Sequence, residues 1–164
     1  MSTDNRVMTL LDEEQLDYDT MRHPEACTAR GVATASRVPA REVAKAVLVR
    51  DAGGRYLMAV VPASCRLDLE ALARASCRRG LILATEEEVA RLFPDCEPGA
   101  LPPFGNLYDI PTFLDVCVCD VPEVYFSAGS RGEVVGMPIS DYLWAARPML
   151  GRFCLHGEVP RANV

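Results

Sequence analysis

Lysine is almost missing from this sequence: Lys and Arg together number 17, and every one except Lys45 is arginine. A general bias toward arginine accounts for the other positions but not for the exception. The two side chains are not interchangeable, since lysine is a compact ammonium with a movable pKa and arginine a planar fork that stays charged. An excess of positive charge is also missing. The formal net charge of -6 excludes broad nucleic-acid binding, which needs a basic face, but leaves room for one local pocket that grips an RNA end. No apolar run reaches the roughly 18 residues that a membrane span requires. Residues 1–14 are polar and acidic, without the basic start and apolar stretch of a secretory signal. These absences point to the cytoplasm and to no membrane partner. The seven cysteines form no C-x-x-C pair, so the tight spacing of zinc sites is absent. They read as buried small hydrophobes, reduced as befits the cytoplasm, with a redox or metal role as the alternative. Also absent are G-x-x-x-x-G-K-[ST], G-x-G-x-x-G after a strand, H-E-x-x-H and G-x-S-x-G, which excludes the common phosphate-loop, dinucleotide, zinc-protease and serine-hydrolase templates.

What is present fits one domain over residues 1–164. Hydrophobic residues make up 49%, enough for a single core in a chain of this length. Helices are predicted over 9–15, over 29–37 behind a Thr28 cap, over 68–75 with Leu69 and Leu72 inward, over 86–93 behind Thr85, and over 141–146 behind Ser140. Strands are predicted over 16–21, 43–49, 56–61, 81–84, 113–119, 124–127 and 133–137. On the strand over 113–119, Cys117 and Cys119 would share a face. Residues 51–54, Asp-Ala-Gly-Gly, read as the turn of a central hairpin, and residues 94–105 are too rich in proline and glycine to be regular. The tail from residue 151 shows no pattern. Without a βαβ rhythm, the expected fold is α+β, with a mixed, largely antiparallel, partly barrel-like sheet and flanking helices.

Four features could carry chemistry. Lys45, inside an apolar strand, must reach water or a partner because burying a lone ammonium is costly. It is either a strand lysine facing solvent or a cation aimed into a pocket. The loop from Cys96 to Gly105, with Gly99 for close backbone approach, is either a plain connection or a stiff path that presents backbone N–H groups to a carbonyl oxygen. Ser127-Ala128-Gly129-Ser130 is a hairpin turn or a strand end that a ligand can approach closely. His23, ahead of Pro24 and Thr28, is a surface or hydrogen-bonded histidine or a base. Asp109 and Asp115 flank the strand after the loop without an assignment.

Taken in order, these motifs resemble the YbaK/prolyl-tRNA synthetase-associated editing domain family. The order runs His23-Pro24 to Thr28, Val43-Ala44-Lys45, Val60-Val61-Pro62, Arg66-Leu67-Asp68-Leu69, Gly99 to Pro103, and Ser127 to Ser130. The resemblance covers residues 16–146 and leaves 147–164 as a tail. It implies a trans-editing deacylase that hydrolyses the ester of mischarged aminoacyl-tRNA, gripping its acceptor end, with an aminoacyl-tRNA synthetase as a further partner. It implies no metal and no cofactor. Lys45 and Gly99 would be catalytic. His23, Thr28, Ala100, Leu101, Pro102, Pro103 and the run Ser127, Ala128, Gly129 and Ser130 would bind substrate. Val32, Val47, Leu101 and Phe126 are expected to set the size of the pocket. Two departures stand out: Ala46 follows the lysine where relatives often carry Thr, and Arg30 and Gly31 stand where Glu is usual. These departures and the acidic charge support a second reading, a non-catalytic module of the same fold that binds tRNA, a nucleotide or a synthetase. An enzyme acting on another small ester or amide is a third.

Overall fold

The computed structural model describes residues 5–156. Five helices run over Arg6–Glu13 (α1), Ala29–Ser36 (α2), Leu69–Ser76 (α3), Glu86–Leu92 (α4) and Ile139–Ala146 (α5). Ten strands run over Asp19–Arg22 (β1), Ala44–Arg50 (β2), Tyr56–Pro62 (β3), Cys65–Leu67 (β4), Ile82–Leu83 (β5), Thr112–Asp115 (β6), Glu123–Ser127 (β7), Glu133–Pro138 (β8), Met149–Gly151 (β9) and Cys154–His156 (β10). They form a five-stranded sheet in the order β5-β2-β3-β6-β9, a three-stranded sheet β1-β8-β7 and a pair β10-β4. Among the described residues the strand pairs are mostly antiparallel, with β3–β6 and β6–β9 parallel. The mixed α+β fold expected from the sequence is therefore present, with its strands divided among open sheets. A single parallel bridge, Val43 to Tyr125, links the start of β2 to β7.

The β2–β3 hairpin is the centre. Its turn is held by Asp51, whose Oδ1 accepts the N–H groups of Gly53 and Arg55, each at 2.9 Å. Every residue of β3 from Leu57 to Val61 is fully buried, as an unbroken apolar strand with neighbours on both sides should be. Alternation sends Met58 and Val60 into the main core with Leu11, Phe93, Phe104, Phe126 and Tyr142. It sends Leu57, Ala59 and Val61 to the other face, where Leu72, Phe113 and Phe153 close a second core. A third cluster, Val32, Ala33, Val38, Val43, Ala63 and Val134, seats α2.

Local signals placed most helices. Thr28 Oγ1 accepts the Gly31 N–H at 3.0 Å, and Thr85 Oγ1 the Glu88 N–H at 3.1 Å. Three expectations need correction. The strand over 113–119 stops at Asp115 and becomes a 3₁₀ turn, Val116–Asp120, because the Asp115 carboxylate accepts the Cys117 N–H at 2.9 Å and diverts the chain. Cys117 and Cys119 therefore do not share a strand face. Ser140 does not cap α5, which begins at Ile139 directly after Pro138. The tail is ordered through β9 and β10, and Cys65 and Cys154 form a disulfide with a Cα–Cα distance of 5.8 Å, so these two cysteines are not simple buried thiols.

The buried Tyr142 hydroxyl donates to the Pro103 carbonyl at 2.7 Å and ties the irregular loop to α5. Tyr142→Phe leaves that carbonyl unpaired and should cost about 1–3 kcal/mol, read as a lower urea midpoint with an unchanged m-value.

Candidate active site

Lys45 lies opposite Val61 in the β2–β3 register and is half-buried. Its ammonium donates to the Cys65 carbonyl at 3.2 Å. Burial, followed by the charges of Arg30 and Arg66, holds its pKa below the ordinary lysine value. Among the described residues no carboxylate forms an ion pair with any of these three cations. On an acidic protein they form a local positive cluster where α2 meets β4.

The Gly99 loop is built differently. Gly99 has φ +82°, a left-handed conformation that suits glycine. A Cβ placed there would collide with the Cys27 carbonyl oxygen. Two backbone bonds stitch the loop to the end of β7: Gly129 N–H to the Ala100 carbonyl at 2.9 Å and Glu97 N–H to the Gly129 carbonyl at 2.8 Å. Glu97 also accepts the Arg131 N–H at 3.1 Å and pairs with its guanidinium at 3.6 Å. Arg131 in turn reaches Cys27 Sγ at 3.5 Å, and its carbonyl accepts the Ala26 N–H at 3.1 Å. Ala100, Pro102 and Pro103 are buried and Leu101 is half-buried. The Ala100 N–H is committed to the Glu97 carbonyl, while the Gly99 and Leu101 N–H groups make no hydrogen bond among the described residues.

The structure thus brings together His23 to Thr28, Gly99 to Pro103, and Ser127 to Ser130. Ser127 and Ala128 are buried, and the Ala128 carbonyl accepts Asn5 Nδ2 at 2.7 Å. Ser130 Oγ accepts the Gly132 N–H at 3.2 Å. His23 is held by the backbone on two sides. Its Nδ1–H donates to the Pro24 carbonyl at 2.8 Å, its backbone N–H donates to Gly132, and its Nε2 is buried without a partner among the described residues.

No hydrogen bond joins Lys45 to the Gly99 loop among the described residues. Alternation along β2 sends Ala44, Ala46 and Leu48 to the main core, which also holds Leu101 and Ala128. It sends Lys45 with Val47 and Val49 to the other face. The two features instead flank the start of α2, the loop against Cys27 and the lysine beside Arg30. The residues expected to size one pocket are scattered as well: Val32 lies in the α2 cluster, Val47 in the second core, and Leu101 and Phe126 in the main one. Sequence reasoning missed the Glu97–Arg131 pair, since 34 residues separate its members and no local spacing signals it.

No curated protein matches the chain. Among solved structures it resembles one provisionally described as a trans-editing enzyme for prolyl tRNA synthetase, with 22% identity, coverage of 94% of this chain and 99% of that one, and TM-score 0.78. It also resembles hypothetical protein APE2540, with 19% identity, coverage of 91% and 99%, and TM-score 0.81. A third, from Marinobacter aquaeolei VT8, is provisionally described as a signal transduction protein; it is 22% identical, with TM-score 0.74, and the match covers 94% of this chain but 31% of that longer one. These likenesses establish the fold. The model of the aminoacyl-tRNA editing domain matches residues 23–144, and the chain belongs to that family.

Proposed function

We propose that this protein is a trans-editing deacylase that hydrolyses the ester of mischarged aminoacyl-tRNA in the cytoplasm without a catalytic metal. The observation that carries the reading is the Gly99 loop. Two N–H groups, Gly99 and Leu101, without a partner among the described residues sit on a backbone pinned by Gly129, by Glu97 and by Tyr142. Donors fixed in advance near a carbonyl stabilise the negative charge that develops on its oxygen during attack, without reorganisation at the moment of reaction.

Water attacks the ester carbon, and the ribose oxygen leaves as a hydroxyl. The neighbouring ribose hydroxyl of the tRNA relays the proton, so the protein supplies position and electrostatics rather than a base. Lys45, Arg30 and Arg66 hold the phosphates of the acceptor end. Three cations without an ion-paired carboxylate repel one another, and a polyanion offsets that repulsion. An aminoacyl-tRNA synthetase is the natural supplier of the substrate and a partner in this reading.

A second reading has one observation in its favour. Lys45 spends a hydrogen bond on Cys65 and faces away from the core that carries the loop. A non-catalytic module would bind tRNA or a nucleotide through the positive cluster alone, and the editing-like fold does occur as a minor part of a longer neighbour.

Deacylation over a panel of mischarged tRNAs decides between them. Turnover of at least one tRNA is expected, and binding without any turnover selects the module. Gly99→Ala forces the loop off Cys27 and should lower kcat by about 100-fold while tRNA binding persists; full activity in this variant removes the loop from the mechanism.

Lys45→Ala should raise KM at low salt more than it lowers kcat, because it removes a phosphate contact. The pH profile checks the same assignment. The charged amine is the binding form, so activity above the uncatalysed ester hydrolysis should fall as pH rises through a pKa below the usual 10.5. Lys45→Arg stays charged and should lose that alkaline limb; a limb unchanged in Lys45→Arg assigns it to another group.

A further inference from the structure

Three donor-bearing side chains meet beside the β10–β4 pair, away from the Gly99 loop. Asp115 ends β6, Cys117 lies in the 3₁₀ turn after it, and Cys154 opens β10. One ligand atom from each lies within 4.8 Å of the other two. Cys65 is bonded through its sulfur to Cys154, so reduction frees a fourth donor next to the group. Asp115 is 1% exposed and forms no ion pair among the described residues. Its carboxylate is oriented by two N–H donors, Cys117 at 2.9 Å and Phe153 at 2.7 Å. The aimed carboxylate and the sulfurs beside it are groups that a zinc ion binds once the thiols lose their protons.

We propose that, once the Cys65–Cys154 disulfide is reduced, Cys65, Cys117, Cys154 and Asp115 bind one zinc ion. The metal then replaces the disulfide as the staple that holds β10 on β4. The chemistry balances in two steps. Two molecules of a small thiol reduce the disulfide, yielding the Cys65 and Cys154 thiols and one small-molecule disulfide. Zinc then displaces a proton from each of the three thiols and is bound by three thiolates and the carboxylate. Three thiolates with one oxygen suit zinc, which takes four ligands tetrahedrally and accepts both sulfur and carboxylate. The two N–H bonds to Asp115 are the outer contacts that commonly orient a carboxylate ligand. Because the Cys65 carbonyl accepts the Lys45 ammonium, the staple also steadies the lysine's anchor, though the proposed site does not depend on the deacylase reading.

The test uses untagged, full-length protein reduced under anaerobic conditions by a small thiol that is then removed. Titration with Co2+ should give the absorption of a tetrahedral, thiolate-rich site, and Zn2+ should abolish it. Cys117→Ser should weaken Co2+ binding by more than about tenfold, whereas Cys77→Ser, at the exposed end of α3, should leave it unchanged. Should Cys117→Ser not fold, alkylation of the wild-type protein decides: zinc should shield Cys65, Cys117 and Cys154 while Cys27 and Cys77 react. A featureless Co2+ spectrum, equal binding by Cys117→Ser, or zinc that shields none of the three sulfurs would overturn the proposal.

Discussion

The burial of β3 on both faces is the constraint around which the rest is arranged. A strand that exposes nothing from Leu57 to Val61 leaves no place beside it for an unsolvated charge. The one ammonium on β2 therefore lies near the end of the hairpin, where its stem can follow the second core and its head can reach the chain leaving β3. The Cys65 carbonyl meets it there. Arg30 reaches the same corner because the third cluster seats α2 against the start of β2, and Arg66 because β4 follows β3 after two residues. The positive cluster is thus a by-product of hairpin burial and helix seating.

The second organising contact is a backbone one. Cys27 presents its carbonyl where Gly99 passes, and only a residue without a Cβ fits. That approach sets the loop against the segment that opens α2, while Gly129 locks it to the end of β7. The proline-rich composition does not by itself give the loop a shape. It removes N–H donors at Pro98, Pro102 and Pro103, so those that remain are few and placed by the surrounding bonds. Tyr142, packed edge-on against Phe104, carries the core's rigidity into the loop through one hydroxyl.

The carboxyl-terminal strands depend on Asp115. Its two oxygens accept N–H groups from residues on either side of it in space, Cys117 and Phe153. One bond ends β6 and starts a 3₁₀ turn; the other positions the chain entering β10. A strand propensity in Val116 to Cys119 yields here to a side chain that competes for the backbone. Reading the apolar pattern alone runs the strand on to residue 119, and the tail beyond Gly151 looks patternless because its partner, β4, is three residues long and far away in sequence.

By itself the sequence determined what local physics controls. It specified the apolar hairpin and its Asp51 turn, the Thr28 and Thr85 caps, the break at residues 94–105, the order of motifs, and the isolation of Lys45 among arginines. Each of these is written within a few neighbouring residues. Only the tertiary structure decided what long-range contact controls: that Lys45 points away from the core bearing the Gly99 loop, that Glu97 pairs with Arg131, that His23 is bonded to backbone, and that Cys117, Cys154 and Asp115 converge while Cys65 bonds to Cys154. Side-chain partners so distant along the chain leave no periodicity and no spacing to read, because packing and not propensity brings them together.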